Sequence, residues 1–363
     1  MLPELVLDGC ADAHAESSRA LAGLLGQAVH AAAAASRFES RHAFGPHTFT
    51  VAANDPLAGK ILTRYLVAAG SRSVGAPDLR IFVFSGSCPP FASPPAWNLP
   101  HSSTRHLERL HLAQDGSITA FHDHDRQFWI ILDRAAATAL FWIARTADIP
   151  VWEEAAPFRM LLHWFLADKP QAIVHGGVVA TAGQGEPRGV LLAGPGGSGK
   201  STTVAACLLA GFSVCGDDLV MLGRAEGGWK AHAIFDAVKL SAQSLSRLPR
   251  DFDGVPWRAC GEKRLLRYSD AVAGGLARDS RLVALMQCAI VGGATTRIVP
   301  IPPSAMLRAL GPPTLFLLRG REEATLAKVS RLVRELPCFR LELGEDPAGP
   351  SSVLGSWMEG TNR

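Results

Sequence analysis

The sequence has no excess of charge of either sign. Its 36 Lys and Arg residues nearly balance 33 Asp and Glu residues, which leaves a formal net charge of +3. A nucleic-acid partner is not expected, because phosphate contacts need clustered Lys and Arg and the basic residues here are spread along the chain. A modest local basic patch, for a phosphate or an acidic peptide, stays open. The hydrophobic share of 48% and charged share of 19% favour a folded chain over a disordered one.

Long apolar runs and paired cysteines are also missing. No apolar run reaches the roughly 18 residues of a membrane-spanning helix, and the nearest one, at 135–142, is closed by Arg134 and Arg145. The N-terminus carries Glu4 and Asp8 where a secretory signal would be positively charged. Seven cysteines form no CxxC pair, which is typical of reduced thiols. We therefore expect a cytoplasmic protein without a membrane partner.

Length and element pattern predict two domains within the 363 residues. In residues 1–150, a helix at 12–36 and several β-type runs indicate an α+β N-terminal domain with an antiparallel sheet, either substrate-binding or structural. The Asp115-Gly116 pair marks a hairpin there. A helix is expected at 152–167, after which strands and helices alternate. Residues 151–363 are therefore expected to form an α/β catalytic domain.

The run His122-Asp123-His124-Asp125 raises the question of a metal site. Adjacent side chains in an extended run alternate between faces, and no other residues complete a ligand set. The run is therefore predicted to be a polar turn.

One motif predicts a specific ligand. The pattern GxxxxGK followed by Ser or Thr is matched at every fixed position by Gly194-Pro195-Gly196-Gly197-Ser198-Gly199-Lys200-Ser201. This phosphate-binding loop (P-loop) follows an apolar strand and opens a helix, the context that the motif requires. Glycines let backbone N–H groups surround a phosphate, Lys200 reaches phosphate oxygens, and Ser201 offers Mg²⁺ a hydroxyl ligand. The run, with Thr202 after it, predicts binding of ATP and Mg²⁺; the alternative is a glycine-rich turn without a ligand.

Two adjacent carboxylates follow the motif. Asp217 and Asp218 lie 17 and 18 residues after Lys200, at the end of a short apolar strand. One carboxylate is suited to hold the metal and the other to accept a proton from an attacking hydroxyl. The alternative is a helix cap or a solvated turn. A common P-loop ATPase places its metal-binding Asp much farther along the chain, so the short spacing argues against a motor or a GTPase.

Together these residues resemble the catalytic core of HPr kinase/phosphorylase, a family that shares its fold with the phosphoenolpyruvate carboxykinases. The resemblance rests on Val174-His175-Gly176, residues 189–193, the P-loop, and the run from Gly211 to Asp217-Asp218. It implies a P-loop kinase core of that type. It places Lys200 and Ser201 on phosphate and Mg²⁺, Asp218 as the base, Asp217 on metal or substrate, and His175 near the pair to orient it. Without the resemblance, His175 would be read as a structural residue.

The sequence also departs from that family. The family has Glu where this chain has Thr202, and its Glu-x-Arg-Gly-x-Gly block, associated with phosphorolysis, has no counterpart here. Phosphorylase activity and HPr itself as substrate are therefore not expected. Residues 152–167, Glu262-Lys263-Arg264 and residues 336–344 resemble HPr-kinase-like serine kinases, some of which act on lasso peptide precursors. Lys263 and Arg264 either neutralise phosphates or belong to a solvated charge cluster.

The sequence predicts an ATP-dependent kinase that phosphorylates a Ser or Thr hydroxyl of a peptide or protein. One alternative keeps the site and changes the acceptor to a small molecule such as free serine. Another is a nucleotide-binding regulator that senses or hydrolyses ATP without an acceptor. The number of subunits is left open, with a homo-oligomer among the alternatives.

Overall fold

A computed structural model describes residues 8–69, 75–87, 108–112, 116–123, 126–183, 185–248, 252 and 254–360. The chain divides into two compact units. Unit 1 contains Met1–Ala43, His47–Arg64 and Ala68–Phe165, and unit 2 contains Phe44–Pro46, Tyr65–Val67 and Leu166–Arg363. Residues 151–165, which the sequence analysis assigned to the second domain, thus belong to unit 1. None of the helices in the described ranges is long and apolar enough to cross a membrane.

Unit 1 combines one long helix, several short ones and a sheet. Its elements are α1 (Asp8–Ala35), β1 (Phe38–Phe44), β2 (His47–Ala53), α2 (Pro56–Thr63), β3 (Leu79–Ser85), β4 (Glu108–Leu112), β5 (Ile118–Asp123), β6 (Phe128–Asp133), β7 (Thr138–Ile143), a 3₁₀ helix (Thr146–Asp148), α3 (Val151–Ala155) and α4 (Arg159–Phe165). The helix predicted at 152–167 is divided at Pro157 and Phe158, where Phe158 has a positive φ of 58°. The sequence also predicts a long loop at 87–103, which contains five prolines, and this segment lies almost entirely outside the described residues.

The sheet of unit 1 is mixed, so the expectation of an antiparallel sheet was wrong. In the described residues its strand order is β1-β2-β3-β7-β6-β5-β4. The strands from β4 to β7 form an antiparallel meander, but β2 pairs with β3 and β3 with β7 in parallel. Parallel neighbours need a crossover, which α2 and the chain after it supply between β2 and β3. Leu21, Leu25 and Ala28 of α1, spaced at helical intervals, are buried in this unit's core.

The acidic and histidine run of unit 1 is only partly described, since residues 124 and 125 lie outside the described ranges. The His122 ring stacks on Trp129 with centroids 4.2 Å apart. Asp123 accepts a hydrogen bond from the backbone N–H of Arg126 at 2.9 Å and forms an ion pair with its guanidinium at 2.7 Å. Asp123 therefore links the end of β5 to Arg126, which lies shortly before β6.

Unit 2 contains more strands and more helices than unit 1 among the described residues. Its elements are β8 (Ala172–His175), β9 (Gly177–Ala180), β10 (Arg188–Ala193), α5 (Lys200–Leu209), β11 (Ser213–Gly216), β12 (Leu219–Ala225), β13 (Gly228–His232), β14 (Val238–Ser241), α6 (Ala242–Leu245), β15 (Trp257–Cys260), β16 (Lys263–Leu266), α7 (Tyr268–Ala271), β17 (Asp279–Ile290), β18 (Arg297–Pro300), α8 (Pro303–Leu317), α9 (Glu322–Glu335), β19 (Cys338–Leu343) and α10 (Gly349–Gly360).

The main sheet of unit 2 has helices on both faces. Among the described strands its order is β11-β9-β10-β17-β13-β12-β8, with β19 paired to β17 and β18 to β19. Only the β10–β17 and β17–β19 pairs are parallel. Along β10, Val190 and Leu192 pack in the cluster that includes α5 and α10, whereas Leu191 and Ala193 pack in the cluster that includes α8 and α9. The expected mixed α/β architecture is confirmed.

The run at 172–180, which the sequence predicts as one strand, forms two strands in different positions of the sheet. β8 pairs with β12, whereas β9 pairs with β10 and β11. The chain changes position at Gly176, where an added Cβ would lie 2.8 Å from the carbonyl oxygen of Leu192. Only glycine fits that close approach, and the break places the partly buried His175 at the end of β8. A second sheet of unit 2 has the order β14-β16-β15 within the described residues.

Candidate functional site

The glycine-rich loop, Gly194 to Gly199, connects β10 to α5. Gly194, Gly197 and Gly199 have φ angles of 143°, 80° and 95°, a region that other residues rarely adopt. An added Cβ would lie 2.7 Å from Ser198 Oγ at Gly194 and 2.4 Å from Leu343 Cδ1 at Gly199. At Gly196 and Gly197 it would meet no atom within 4 Å. The loop is thus tightly packed at its two ends and open in the middle, where its backbone borders a cleft.

The first turn of α5 lies at that opening. Gly199 is the N-cap residue and supplies no side-chain hydrogen bond to the helix. The first-turn N–H groups and the helix dipole together favour an anion at such a terminus. The same turn carries Ser201 and Thr202, which line the cleft.

Lys200 is buried, with 6% of its surface exposed, yet its ammonium group is satisfied. Nζ donates hydrogen bonds to the carbonyl oxygens of Gly194 at 2.6 Å and Pro195 at 2.9 Å. Burial lowers its pKa from the usual value, an effect that the nearby Cys288, Asp217 and Asp218 partly offset. The lysine is therefore folded back on its own loop, next to the open backbone of Gly196 and Gly197.

Asp217 follows β11 and is almost completely buried. Its Oδ1 accepts a hydrogen bond from Ser201 Oγ at 3.1 Å, while Oδ2 is buried and has no hydrogen-bond partner among the described residues. Burial raises its pKa, and the charge of Asp218 raises it further. A buried carboxylate oxygen without a donor is costly unless a cation or a proton satisfies it. The oxygen, with Ser201 Oγ nearby, fits the ligand preference of Mg²⁺.

Asp218 occupies a strained turn. Its φ is 70°, and the N–H of Leu219 donates to the carbonyl oxygen of Asp217 at 2.8 Å. A hydrogen bond across a single residue with positive φ is the rare form of the γ-turn. Such strain costs about 1–3 kcal/mol and is concentrated at functional sites.

Two side chains bracket the Asp218 carboxylate. Lys239 of β14 donates a hydrogen bond from Nζ to Oδ2, and Nδ1 of His175 lies 3.2 Å from Oδ1. The contact between His175 and Asp218 is within ion-pair distance, but its geometry is not that of a hydrogen bond. Burial alone would raise the pKa of Asp218, but His175 and the Lys239 ammonium outweigh it and hold the pKa well below the usual range. Asp218 is thus ionised at neutral pH.

Backbone contacts fix His175 beside the carboxylate pair. β8 and β12 are paired so that His175 lies opposite Leu219. The backbone N–H of His175 donates to Thr314 Oγ1 at 2.9 Å, and the N–H of Gly176 donates to the carbonyl oxygen of Asp218 at 3.1 Å. The His-Gly pair and the Asp pair are therefore held together by the backbone.

A cleft of about 690 Å³ brings most of the sequence-predicted site residues together. They are His175, Gly196, Gly197, Ser198, Gly199, Lys200, Ser201, Thr202, Asp217 and Asp218. Gly194 and Pro195 are not part of its lining; their carbonyl groups bind Lys200 instead. A cleft of this size is ordinary for a site that takes a small molecule or cofactor.

Several lining residues have no signal in the sequence. One group lies on β14, on β16, and on α6 or just after it, and it comprises Lys239, Ser241, Gln243, Ser244, Arg247 and Lys263. A second group includes Ile290 and residues 343–347, with Glu345 and Asp346. Lys263 and residues 343–344 lie in runs that the sequence analysis singled out, whereas the others belong to no recognisable motif. A net positive charge over residues 239–267 was the other available sign.

The structure separates Lys263 from Arg264, the two basic residues that the sequence analysis treated together. Lys263 lines the cleft, and its charge contributes to the lowered pKa of Lys200. The guanidinium of Arg264 lies 4.8 Å from the ring centroid of Trp257 instead. Of this pair, therefore, Lys263 alone faces the loop.

Among the described residues, no group of three or more His, Cys, Asp or Glu side chains could hold a metal ion. Mg²⁺ keeps several waters and takes only one or two carboxylates plus phosphate oxygens. Ser201 and Asp217 are the residues that fit it. Cys207 and Cys288 nearby are buried, and burial raises the pKa of both thiols, that of Cys288 to about 12. Both are therefore packing residues rather than nucleophiles.

No protein-family model matches this sequence, and a search of curated proteins finds no match either. The function therefore has to be argued from the residues of the cleft.

Proposed function

We propose that the chain is an ATP-dependent kinase that transfers the γ-phosphoryl group to a Ser or Thr hydroxyl of a peptide or protein. The observation that carries the proposal is the placement of Asp218. It is an ionised carboxylate in a strained turn, on the same cleft as a glycine-rich loop that opens a helix. A nucleotide sensor needs no carboxylate at the point where an acceptor hydroxyl would arrive.

The loop side of the cleft supports triphosphate binding. Backbone N–H groups around Gly196 and Gly197, together with the start of α5, would hold the β- and γ-phosphates. Lys200 would exchange the carbonyl groups of its own loop for phosphate oxygens. Ser201 and Asp217 would hold Mg²⁺, which neutralises charge on the phosphate oxygens when bound. The buried, unsatisfied Oδ2 of Asp217 is the specific support for a cation at this point.

Asp218 would act on the acceptor. The acceptor oxygen forms a bond to the γ-phosphorus, the bond from that phosphorus to the bridging oxygen of ADP breaks, and the hydroxyl proton passes to Asp218. A carboxylate with a lowered pKa is a weak base, which suits phosphoryl transfer because positioning and charge stabilisation supply most of the catalysis. His175 and Lys239 orient the carboxylate from either side.

The proposal also concerns the fold of unit 2. We assign unit 2 to the kinase core found in HPr kinase and the phosphoenolpyruvate carboxykinases. The support is the resemblance of the loop and the two pairs, His175-Gly176 and Asp217-Asp218, along with the short spacing between loop and carboxylates. In this proposal the protein acts in the cytoplasm on a flexible chain, such as a ribosomal precursor peptide of the lasso type.

The acceptor separates this proposal from its alternatives. A peptide kinase, a free-serine kinase and an ATP-hydrolysing regulator would share the loop and differ only in what receives the phosphate. The test compares kcat/KM for a panel of serine-containing peptides, for free serine, and for no added acceptor. We expect a peptide to be the best substrate. If free serine has the higher kcat/KM, the small-molecule kinase replaces this proposal.

A further inference from the structure

The segment from Lys239 to Arg267 is rich in basic residues. It carries seven Lys and Arg residues against three Asp and Glu, a net charge of +4 in 29 residues. The whole chain has a formal charge of +3, so the remainder is slightly acidic. Charge concentrated in this way attracts ligands of opposite sign and selects among them.

This basic segment forms the small sheet β14-β16-β15 and helix α6. Lys239, Arg247 and Lys263 from this part line the cleft. Ser241 and Lys263 lie opposite each other in the β14–β16 pair, so both face the same side of the sheet. We call this surface, made by Lys239, Ser241, Arg247 and Lys263, the basic wall.

Two cations of the basic wall are available to a ligand. Lys239 is engaged by Asp218. Arg247 and Lys263 are exposed, and neither forms an ion pair with any described residue. The lining of the cleft thus contains cations without an ion-pair partner among the described residues, as well as the acidic residues Glu345 and Asp346.

The neighbours of the loop differ from those of Asp218. The loop is flanked by Leu343 and Ile290, the nearest side-chain atoms to Gly199. Asp218, in contrast, is flanked by Lys239 of the basic wall. Arg247 and Lys263 line the same cleft as Asp218. A hydroxyl that reaches Asp218 therefore enters the cleft that these two cations line, and the residues next to that hydroxyl can meet them.

The outer end of the same sheet carries a second feature of a docking surface. Trp257 of β15 is 51% exposed, with the Arg264 guanidinium stacked on its ring. β15 is an edge strand among the described residues, so its backbone can pair with an extended chain. Exposed Trp and Arg side chains are the residues that contribute most at protein interfaces.

We infer that the basic wall and the adjoining edge of the small sheet dock an acidic segment of the acceptor peptide, next to the hydroxyl that is phosphorylated. The assignment to the acceptor rests on the proposed kinase function. The competing partner for Arg247 and Lys263 is the nucleotide, whose phosphates already have the loop, the start of α5 and Lys200. The substrate class is therefore a peptide with Asp or Glu beside its Ser or Thr.

The test uses two short synthetic peptides and the full-length protein. In the first peptide a single Ser is flanked by Asp on both sides, and in the second every Asp is replaced with Asn. Calorimetric titration gives the Kd of each peptide for the wild type, Arg247→Gln, Lys263→Gln and the double variant. Arg308→Gln is the matched control, since Arg308 is exposed on α8 and is not part of the cleft lining. The Kd for ATP is measured for each protein alongside.

The wild type should bind the Asp peptide about tenfold more tightly than the Asn peptide, as expected for a few exposed ion pairs. Each cleft variant should weaken Asp-peptide binding by about three- to fivefold, the double variant should abolish the preference, and salt should reduce it. Arg308→Gln should behave as wild type. Equal binding of the two peptides, or variants that weaken ATP and not the Asp peptide, would overturn the inference. A preference for the Asp peptide without any phosphoryl transfer would overturn the kinase proposal and leave the docking surface in place.

Discussion

Lys239 and Asp218 come from different parts of unit 2 and meet in a hydrogen-bonded ion pair at the cleft. Asp218 lies in the turn after β11, and Lys239 lies on β14, in the small sheet. Their contact joins the main sheet's carboxylate pair to the basic wall. The ammonium group favours the charged form of Asp218, and so it keeps the carboxylate ready to accept a proton at neutral pH.

Replacing Lys239 with Met should therefore move the pH dependence of transfer. The pKa of Asp218 is lowered in the folded protein, and losing the Lys239 charge should raise it. The acidic limb of the kcat profile should then shift to higher pH, because Asp218 becomes protonated sooner as the pH falls. Lys230→Met is the control, since Lys230 forms an ion pair with Glu186 away from the cleft.

The stability of the protein should also depend on the lowered pKa of Asp218. A carboxyl group whose pKa is lowered by folding stabilises the protein above its unfolded-state pKa, and this contribution is lost as the pH falls through the folded-state pKa. The free energy of unfolding of Lys239→Met should thus be lower than that of the wild type at neutral pH. In strong acid it should approach the wild-type value. An acidic limb and a stability difference that do not change with Lys239→Met would show that Lys239 does not act on Asp218.

The two carboxylates should respond differently to conversion to Asn. Asp218→Asn should keep ATP binding and lower the transfer rate on the order of 10²-fold or more, the range for losing a general base. Asn tolerates the positive φ at this position, so the turn should persist. Asp217→Asn should instead raise the Mg²⁺ concentration needed for activity. Small and equal effects from both substitutions would reduce the pair to a structural turn.

Lys200→Ala should remove nucleotide-dependent activity while the protein stays folded, because Lys200 acts on phosphate charge rather than on packing. ATP affinity is measured by calorimetry and the fold by circular dichroism. Transfer at a rate near that of wild type would show that the nucleotide binds elsewhere.

Gly199→Ala tests the loop geometry. Alanine at a φ of 95° costs about 1–2 kcal/mol, and its Cβ would lie 2.4 Å from Leu343 Cδ1. We expect ATP affinity to fall roughly tenfold, which corresponds to about 1.4 kcal/mol. Gly227→Ala is the control, because Gly227 has a φ of 84° with open space around it in the turn after β12. A similar loss of affinity in both variants would indicate a general effect on folding.

The reaction should not run backwards by phosphorolysis. The sequence lacks the Glu-x-Arg-Gly-x-Gly block that accompanies phosphorolysis in HPr kinase/phosphorylase, the family that the sequence resembles. Incubation with a phosphoserine peptide and inorganic phosphate should therefore yield no pyrophosphate. Its appearance would restore a bifunctional kinase and phosphorylase.

Local patterns allowed the loop and the carboxylate pair to be predicted. The loop motif is eight consecutive residues between a strand and a helix, and the expected helix is present as α5 over Lys200–Leu209. The mixed α/β character of unit 2 also follows from local alternation. These features depend on neighbours in the sequence, and periodicity reports such neighbours well.

Features that depend on distant contacts could not be predicted. The parallel pairing of β2 with β3 and of β3 with β7 needs knowledge of which strands become neighbours. The contact of Lys239 with Asp218 depends on where a separate sheet packs. The division of residues 172–180 depends on a carbonyl of β10 that leaves no room for a side chain at Gly176. Sequence patterns carry no signal for such long-range sterics.

The most direct test of the central claim follows the γ-phosphoryl group. Purified protein is incubated with Mg²⁺, γ-labelled ATP and a serine peptide, and the label on phosphoserine is compared with the label released as inorganic phosphate. The account predicts label on the serine hydroxyl, reduced on the order of 10²-fold in Asp218→Asn. Label found only as inorganic phosphate, at a rate that does not depend on the acceptor, would contradict it.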